Sequence, residues 1–155
     1  MIKEISYAAY IIPVRIIDGK KQIALLEYAP GAYGPIGGRF DEGETNAIVA
    51  LRREIIEELG QDAIFMVDSA KKISVSYKFK VAEHKIEKRG AYNEEHFFFV
   101  AKIPSDTLFE FCEQREENIK LVWLDSESLI DSNIIQFQDQ REYFKAYLMP
   151  IVNEI

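Results

Sequence analysis

The sequence is poor in the features that build cross-linked or membrane-bound proteins. It contains one cysteine among 155 residues, so no disulfide can form within the chain, and Cys112 fits a reducing compartment. No stretch approaches the roughly 20 consecutive apolar residues that a transmembrane helix needs, and the N-terminal residues lack the layout of a signal peptide. These absences predict a cytoplasmic protein with no membrane partner.

Positive charge is also scarce in this chain. The 19 Lys and Arg residues stand against 26 Asp and Glu residues, which gives a formal net charge of −7. A protein this acidic is not drawn to nucleic acid by its overall field, so we expect no nucleic acid partner. It can still act on a phosphate compound if a divalent cation mediates the contact.

What is present is enough for one globular core, because 48% of the residues are hydrophobic and no repeat or linker interrupts residues 1–155. The patterns predict strands at Ile5–Ile17, Gln22–Tyr28, Lys72–Val81, His96–Ile103 and Ile119–Leu124. They predict helices at Asn46–Leu59, Asp125–Ile130 and Gln138–Val152. Strands and helices mixed in this order predict a single α/β domain, an α/β/α sandwich around a central mixed β-sheet.

The helix predicted over Asn46–Leu59 has the clearest pattern. Asn46 is a good N-cap, and Gly60 supplies a stop. Apolar residues recur at helical spacing along one side, at Ala47, Ala50, Leu51, Ile55 and Leu59. The opposite surface carries Glu54, Glu57 and Glu58.

This acidic trio has two interpretations. Glutamates three or four positions apart on an amphipathic helix most often form a solvated face. Here, however, they lie near the helix C-terminus, where the helix dipole disfavours negative charge. The residues four positions after them are Glu58, Gln61 and Asp62, so no lysine is placed to compensate them. Uncompensated carboxylates favour a cation site, and Mg²⁺ prefers such oxygen ligands.

The stretch from Gly38 to Gln61 resembles the signature of the Nudix hydrolase family. Gly38 and Glu44 have the spacing of its first part, and its second part is matched by Arg53, Glu54, Ile55, Glu57, Glu58 and Gly60. The resemblance implies a Nudix-type sandwich fold. It also implies a hydrolase that uses Mg²⁺ or Mn²⁺ to cleave the diphosphate linkage of a nucleoside diphosphate joined to another moiety.

The resemblance also implies roles for the residues of the motif. Glu54, Glu57 and Glu58 would hold the metal in some combination, with the carbonyl of Gly38 or its neighbour as a further ligand. Arg53 would orient these carboxylates; the alternative is an ordinary surface ion pair.

A nucleotide-type substrate would be bound by residues around the motif. The paired glycines Gly37 and Gly38 allow the backbone to come close to phosphates. Arg39 either contacts phosphate or faces solvent. A tyrosine placed like Tyr77 is associated with diadenosine polyphosphate hydrolases of this family, although a cross-strand aromatic explains it as well. Tyr33 and Phe40 either stack a base or belong to the core.

A further acid after the motif is often a metal ligand or base in this family. Glu94 and Glu95 stand at the entry to the predicted strand at His96–Ile103, and we favour Glu95. The base is left open between Glu95 and Glu54. Otherwise, two carboxylates before a strand are ordinary edge protection.

One departure from the family pattern is an extra residue between Glu44 and Arg53, most simply Thr45. It leaves the helix acids in phase but leaves open whether Glu44 pairs with Arg53. It is also the one feature that favours an alternative function, a Nudix-fold sensor that binds a nucleotide without hydrolysing it. The long first strand is compatible with a homodimer, which is frequent in the family.

Overall fold

An eight-stranded mixed sheet forms the centre of the computed structural model, which describes residues 1–72, 76–105, 119–130, 142, 145–146 and 149–154. The strands in the described residues are β1 (Lys3–Ile17), β2 (Lys20–Ala29), β3 (Ala32–Gly34), β4 (Ile36–Arg39), β5 (Lys71–Lys72), β6 (Tyr77–Lys80), β7 (Ala91–Lys102) and β8 (Lys120–Asp125). The α-helices described are α1 (Ala47–Leu59), α2 (Phe65–Ser69), α3 (Ile86–Arg89) and α4 (Met149–Val152). Short 3₁₀ helices lie at Gln61–Ala63, Glu83–Lys85 and Ser126–Ile130.

The long strand β1 organises the sheet because it has different partners along its two edges. One edge pairs with β7 in parallel from Lys3 to Val14. The other edge pairs antiparallel first with β4, up to Ile11, and then with β2, from Val14 onward. Pro13, which has no N–H to donate, lies where β1 changes its antiparallel partner. This change of partner brings the glycine-containing strand β4 against the middle of the sheet.

Each face of the sheet carries its own hydrophobic core. We call the side that packs against α1 and α2 the α1 face; it carries Ala9, Ile11, Phe97 and Phe99. The other side, which packs against the described part of the C-terminal region, is the distal face; it carries Tyr10, Ile12, Phe98 and Val100. Side chains alternate between the faces along β1 and β7, as the pleat requires. A mixed sheet with helices on both sides confirms the predicted α/β sandwich.

The element boundaries match the sequence patterns best where the pattern is local. Helix α1 begins after Asn46 and ends before Gly60, as predicted. Strand β7 begins at Ala91 rather than at His96, so the expected position of the acids before the strand is wrong. Residues 73–75 and most of the predicted helix Gln138–Val152 lie outside the described residues. No helix in the described part of the chain is long and apolar enough to cross a membrane.

Candidate active site

The acidic side of α1 is oriented by its caps and its buried stripe. The Asn46 side-chain oxygen accepts hydrogen bonds from the backbone N–H groups of Ile48, at 2.8 Å, and Val49, at 3.3 Å, which fixes the first turn. At the other end Gly60 adopts a φ of 90°, which ends the helix. The buried stripe consists of Ala50, Leu51, Ile55 and Leu59. The glutamates are therefore directed away from the core.

Arg53 is the centre of the charged cluster on α1. Its Nε and one terminal nitrogen donate to the two carboxylate oxygens of Glu44, at 3.1 and 3.0 Å. The other terminal nitrogen lies 3.0 Å from Glu54 and 3.3 Å from Glu57. Nε also lies 2.9 Å from a carboxylate oxygen of Asp41. One guanidinium group thus joins the loop before α1 to two of the three helix glutamates.

These contacts shift the protonation equilibria of the cluster in opposite directions. Hydrogen bonds from Arg53 lower the pKa of Glu44, because they stabilise the carboxylate form. The same pair raises the pKa of Arg53, so the guanidinium stays charged. Burial raises the pKa of Glu54, and the positive charge of Arg53 opposes this rise. Arg53 therefore keeps Glu44 ionised and partly offsets the cost of burying Glu54.

The two glycines of β4 lie directly against this cluster. Gly37 has a φ of 135°, and a Cβ added there would stand 2.2 Å from the carbonyl oxygen of Ala9. Its N–H donates to a carboxylate oxygen of Glu58 at 3.3 Å. A Cβ added at Gly38 would stand 2.6 Å from a carboxylate oxygen of Glu54. At Gly37 the β1 backbone leaves no room for a side chain, and at Gly38 the absence of a side chain lets the Glu54 carboxylate approach the β4 backbone this closely.

The donor atoms gathered here fit a hard divalent cation. Carboxylate oxygens of Glu54, Glu57 and Glu58 lie on one side, and the peptide backbone at Gly38 lies against Glu54 on the other. Within the described residues, no three Asp, Glu, His or Cys side chains are arranged so that they could together hold a metal ion. Two of these glutamates are turned toward Arg53, and Glu58 is turned toward the amide of Gly37. A cation would therefore compete with these contacts for oxygen ligands that suit it chemically.

Glu94 and Glu95 point to opposite faces of the sheet. Glu95 lies on the α1 face, where Ser76 donates a hydrogen bond to it, and it lines a cavity beside the start of α1. Glu94 lies on the distal face, where one of its carboxylate oxygens is 3.1 Å from Arg39 and 3.2 Å from Arg89. Of the two acids that the sequence left as alternatives, only Glu95 shares a face with α1.

The family model described as the NUDIX domain matches residues 8–147. The chain belongs to the Nudix family. This membership confirms the family predicted from the motif and makes the chain a Nudix-type hydrolase. No curated protein matches the sequence significantly.

Solved Nudix structures share the fold over nearly the whole chain. The E. coli dihydroneopterin triphosphate pyrophosphohydrolase is 19% identical with a TM-score of 0.58, over 97% of this chain and 99% of that one. A binary complex of the C. elegans Ap4A hydrolase is 20% identical with a TM-score of 0.56, over 94% and 98%. The NUDIX domain of Shewanella oneidensis NrtR, complexed with ADP ribose, is 11% identical with a TM-score of 0.58, over 96% and 90%. At these identities the likeness shows the fold alone.

The extra residue in the Nudix motif does not disturb its ion pair. Glu44 contacts Arg53 through two hydrogen bonds although Thr45 lengthens the loop between them. Asp41, which also contacts Arg53, was not singled out from the sequence. The only signal for it was the acidic composition of the loop, which carries Asp41, Glu42 and Glu44.

Two residues expected to bind substrate lie on the distal face, away from the acidic side of α1. The Arg39 side chain is bonded to Glu94, and only its backbone oxygen reaches the cluster, accepting a hydrogen bond from Arg53 at 2.8 Å. Tyr77 is paired across the strands with His96, and its ring meets that of Phe98 edge-on at 5.9 Å. The fold does not bring these two side chains together with the Nudix carboxylates, and their roles in substrate binding stay predictions.

Proposed function

We propose that this Nudix protein is a metal-dependent hydrolase that cleaves the diphosphate linkage of a nucleoside diphosphate joined to another moiety. The observation that carries the proposal is the position of two helix glutamates, Glu54 and Glu58, beside the paired glycines of β4, with Glu57 on the same helix and bonded to the same Arg53 as Glu54. Glu54 would touch any side chain at Gly38, and Glu58 accepts from the N–H of Gly37. This arrangement places carboxylates that suit a cation directly against a stretch of backbone that carries no side chains of its own.

The metal would be Mg²⁺ or Mn²⁺, held by Glu54, Glu57 and Glu58 in some combination, with the carbonyl of Gly38 or its neighbour as a further ligand. When bound, such a cation supplies Lewis-acid polarisation of the diphosphate and lowers the pKa of an attacking water. Arg53 positions the carboxylates, because it contacts Glu54 and Glu57 from one guanidinium group.

The base that accepts the proton of the attacking water is Glu95 or Glu54. Glu95 is supported by its position on the α1 face and by its hydrogen bond from Ser76, which holds the carboxylate in one orientation. Glu54 is supported by its place beside Gly38. The paired glycines let the carboxylates of Glu54 and Glu58 lie against the β4 backbone, so a cation held by these carboxylates would bring the phosphates to the same place.

Three substrate classes fit this chemistry: nucleoside triphosphates, dinucleoside polyphosphates, and ADP-ribose or sugar nucleotides. The similar solved structures support a phosphate-linked substrate, since their names give dihydroneopterin triphosphate, Ap4A and ADP ribose as the compounds concerned. The proposed partner is thus a small nucleotide-type molecule. A cytoplasmic location and a possible homodimer remain predictions from the sequence.

The test is phosphate release from a panel of these nucleotides with Mg²⁺, measured for the wild type, Glu57→Gln and Glu58→Gln. The matched control is Glu87→Gln, which removes an exposed carboxylate from α3 instead of α1. We expect the wild type and the control to hydrolyse at least one class. Each motif variant should lose roughly 100-fold or more in kcat/KM, since it removes a ligand for the cation. Unchanged activity in both motif variants would refute the proposed metal site.

The sensor alternative predicts a different result in the same assay, namely nucleotide binding with no phosphate release. Its support is the extra residue Thr45, which left open whether Glu44 pairs with Arg53. Since Glu44 and Arg53 are bonded despite that residue, the observation no longer favours a sensor. A wild-type protein that binds nucleotides of the panel but releases no phosphate from them would favour the sensor over the hydrolase.

A further inference from the structure

Glu94 is a buried carboxylate on the distal face that the hydrolytic chemistry proposed above does not use. Its side chain is 4% exposed, and its ion-pair partners among the described residues are Arg39 and Arg89, whose side chains are each 39% exposed. Arg39 lies 3.1 Å from one carboxylate oxygen, and Arg89 donates to both oxygens, at 3.2 and 3.4 Å. A buried carboxylate holds such partners firmly, because the cost of its desolvation is offset only while they stay in place.

Arg39 is the last residue of β4, and both terminal nitrogens of its side chain are bonded. One donates to Glu94 and the other to the backbone carbonyl of Arg89, each at 3.1 Å. Strand β4 has four residues and, among the described strands, pairs only with β1. A short strand that is held along one edge has few hydrogen bonds to keep its end from opening. The Arg39 side chain therefore gives the end of this strand a second attachment.

The backbone of Arg39 also contacts the charged cluster on α1. Its carbonyl oxygen accepts a hydrogen bond from Arg53 at 2.8 Å, and the same Arg53 nitrogen donates to Glu44 at 3.0 Å. The peptide bond that joins Gly38 to Arg39 carries the Gly38 carbonyl, which is proposed above as a ligand of the cation. Fixing the Arg39 side chain on the distal face therefore fixes the piece of backbone against which the cation site is built.

We propose that Glu94 is a positioning residue for the cation site and acts through Arg39. Glu94 faces away from α1, so it acts by holding the Arg39 side chain, and the Arg39 backbone in turn holds Arg53 and the Gly38 carbonyl in place. The proposal rests on the proposed function, because it concerns the same cation site. Replacing a group that orients metal ligands typically costs about 10- to 100-fold in metal affinity. Glu94 is one step further from the ligands, so we expect a loss at the lower end of this range.

Mn²⁺ affinity measured without nucleotide tests this link, because a residue that only contacts substrate would not change it. The dissociation constant is obtained from the electron paramagnetic resonance signal of free Mn²⁺ for the wild type, Glu94→Met and Arg39→Met. Both substitutions should weaken Mn²⁺ binding roughly tenfold. Long-range electrostatics predicts effects of opposite sign, since Glu94→Met removes a negative charge and Arg39→Met removes a positive one. Tighter binding in Arg39→Met, or unchanged binding in Glu94→Met, would overturn the proposal.

Two further variants separate the anchoring of Arg39 from the loss of charge. Glu94→Gln loses the same charge as Glu94→Met but keeps one acceptor oxygen, so it should weaken Mn²⁺ binding less. The matched control is Arg89→Met, which removes the other arginine from Glu94 but keeps the backbone carbonyl that Arg39 uses. Its Mn²⁺ dissociation constant should stay close to that of the wild type. An equal loss of affinity in Arg89→Met and Arg39→Met contradicts the proposal.

Hydrogen exchange in the metal-free protein tests the anchoring of β4 by itself. The Phe40 N–H, just after β4, donates to the Tyr7 carbonyl at 2.9 Å, and the Ile103 N–H donates to the Val14 carbonyl at 2.8 Å, near the other end of β1. Glu94→Met should speed exchange of the Phe40 amide roughly tenfold or more, the size expected for losing a hydrogen bond to a charged group, and leave the Ile103 amide unchanged. Equal acceleration at both amides, or none at Phe40, would show that Glu94 does not anchor β4.

The two measurements together distinguish this proposal from the proposed function. A wild-type protein that binds no Mn²⁺ and hydrolyses no nucleotide would refute the hydrolase, and the exchange of the Phe40 amide would still decide whether Glu94 anchors β4. Unchanged Phe40 exchange in Glu94→Met, with a wild type that binds Mn²⁺ and hydrolyses nucleotides, would refute the anchoring and leave the hydrolase intact. Faster Phe40 exchange with no change in Mn²⁺ affinity would overturn the link to the cation site.

Discussion

Replacing Arg53 by methionine tests whether the charged cluster is held together by this one side chain. The Arg53 side chain is 23% exposed, and its partners Glu44 and Glu54 are 14% and 13% exposed. Methionine keeps most of the aliphatic volume but leaves both carboxylates without their cation. Removing one member of a buried ion pair costs about 3–5 kcal/mol, because the remaining charge stays desolvated.

The expected loss of stability lies at the lower end of that range. Asp41 and Glu57, the other two partners, are 63% and 40% exposed, and water replaces their contacts at little cost. We therefore expect Arg53→Met to lower the free energy of unfolding by about 3 kcal/mol. For a chain of this length, that corresponds to a fall in Tm of roughly 6–12 °C, measured by circular dichroism.

The adjacent residue of the same helix provides the control. Among the residues that the structure describes, Arg52 forms one ion pair, with Asp68, and the two side chains are 42% and 63% exposed. Arg52→Met should therefore lower the free energy of unfolding by less than about 1 kcal/mol. If Arg53→Met costs no more than Arg52→Met, the cluster is not held by Arg53 and the reasoning is wrong.

The same pair of proteins has a defined pH dependence. Hydrogen bonds from Arg53 lower the pKa of Glu44 in the folded protein. The stability that the folded protein gains from this ionised pair is therefore fully present above the ordinary glutamate pKa of about 4.3. It is lost as the pH falls through the lower folded pKa. The difference in unfolding free energy between the wild type and Arg53→Met should therefore narrow below about pH 4. A difference that stays constant down to pH 2 would exclude Glu44 as its source.

Two further predictions follow from local geometry and burial. Gly37→Ala should destabilise the protein by at least ~2 kcal/mol more than Gly43→Ala in urea unfolding. Both glycines have a positive φ, but only at Gly37 would the Cβ overlap a backbone atom, the carbonyl oxygen of Ala9; equal costs would refute this. Burial lowers the pKa of His96 to about 4, so the unfolded state binds a proton first as the pH falls from about 6.5. Between pH 6.5 and pH 4 the wild type should lose about 3 kcal/mol of unfolding free energy, and His96→Gln should not show this loss. An NMR titration of His96 with a midpoint near pH 6.5 would contradict this prediction.

The helix and its acids could be predicted from the sequence because their signals are local. Asn46 caps α1, Gly60 ends it, and the apolar stripe between them is the buried side of the helix. The helical period alone fixed Glu54 and Glu58 on one surface, whatever the rest of the chain does. The glycines of the motif were recognisable for the same reason, since their spacing from the helix is a property of consecutive residues.

The start of β7 could not be predicted, because polar residues in a strand resemble a loop when only the sequence is known. Glu94 is buried within β7, and its charge is compensated by Arg39 from β4 and by Arg89 from α3. Those partners come from separate parts of the chain. A pattern of hydrophobicity therefore placed the strand start at His96, after the two glutamates.

The sequence by itself determined the Nudix motif, the helix that carries it, the mixture of strands and helices, and the excess of acidic residues. Only the tertiary structure decided which side chains share a face of the sheet. Glu95 faces α1 while Glu94 and Arg39 face away from it, and Tyr7 meets Phe97 across two parallel strands. The physical reason is that a shift of one residue in strand register exchanges the two faces, and the register is set by long-range pairing and by the core.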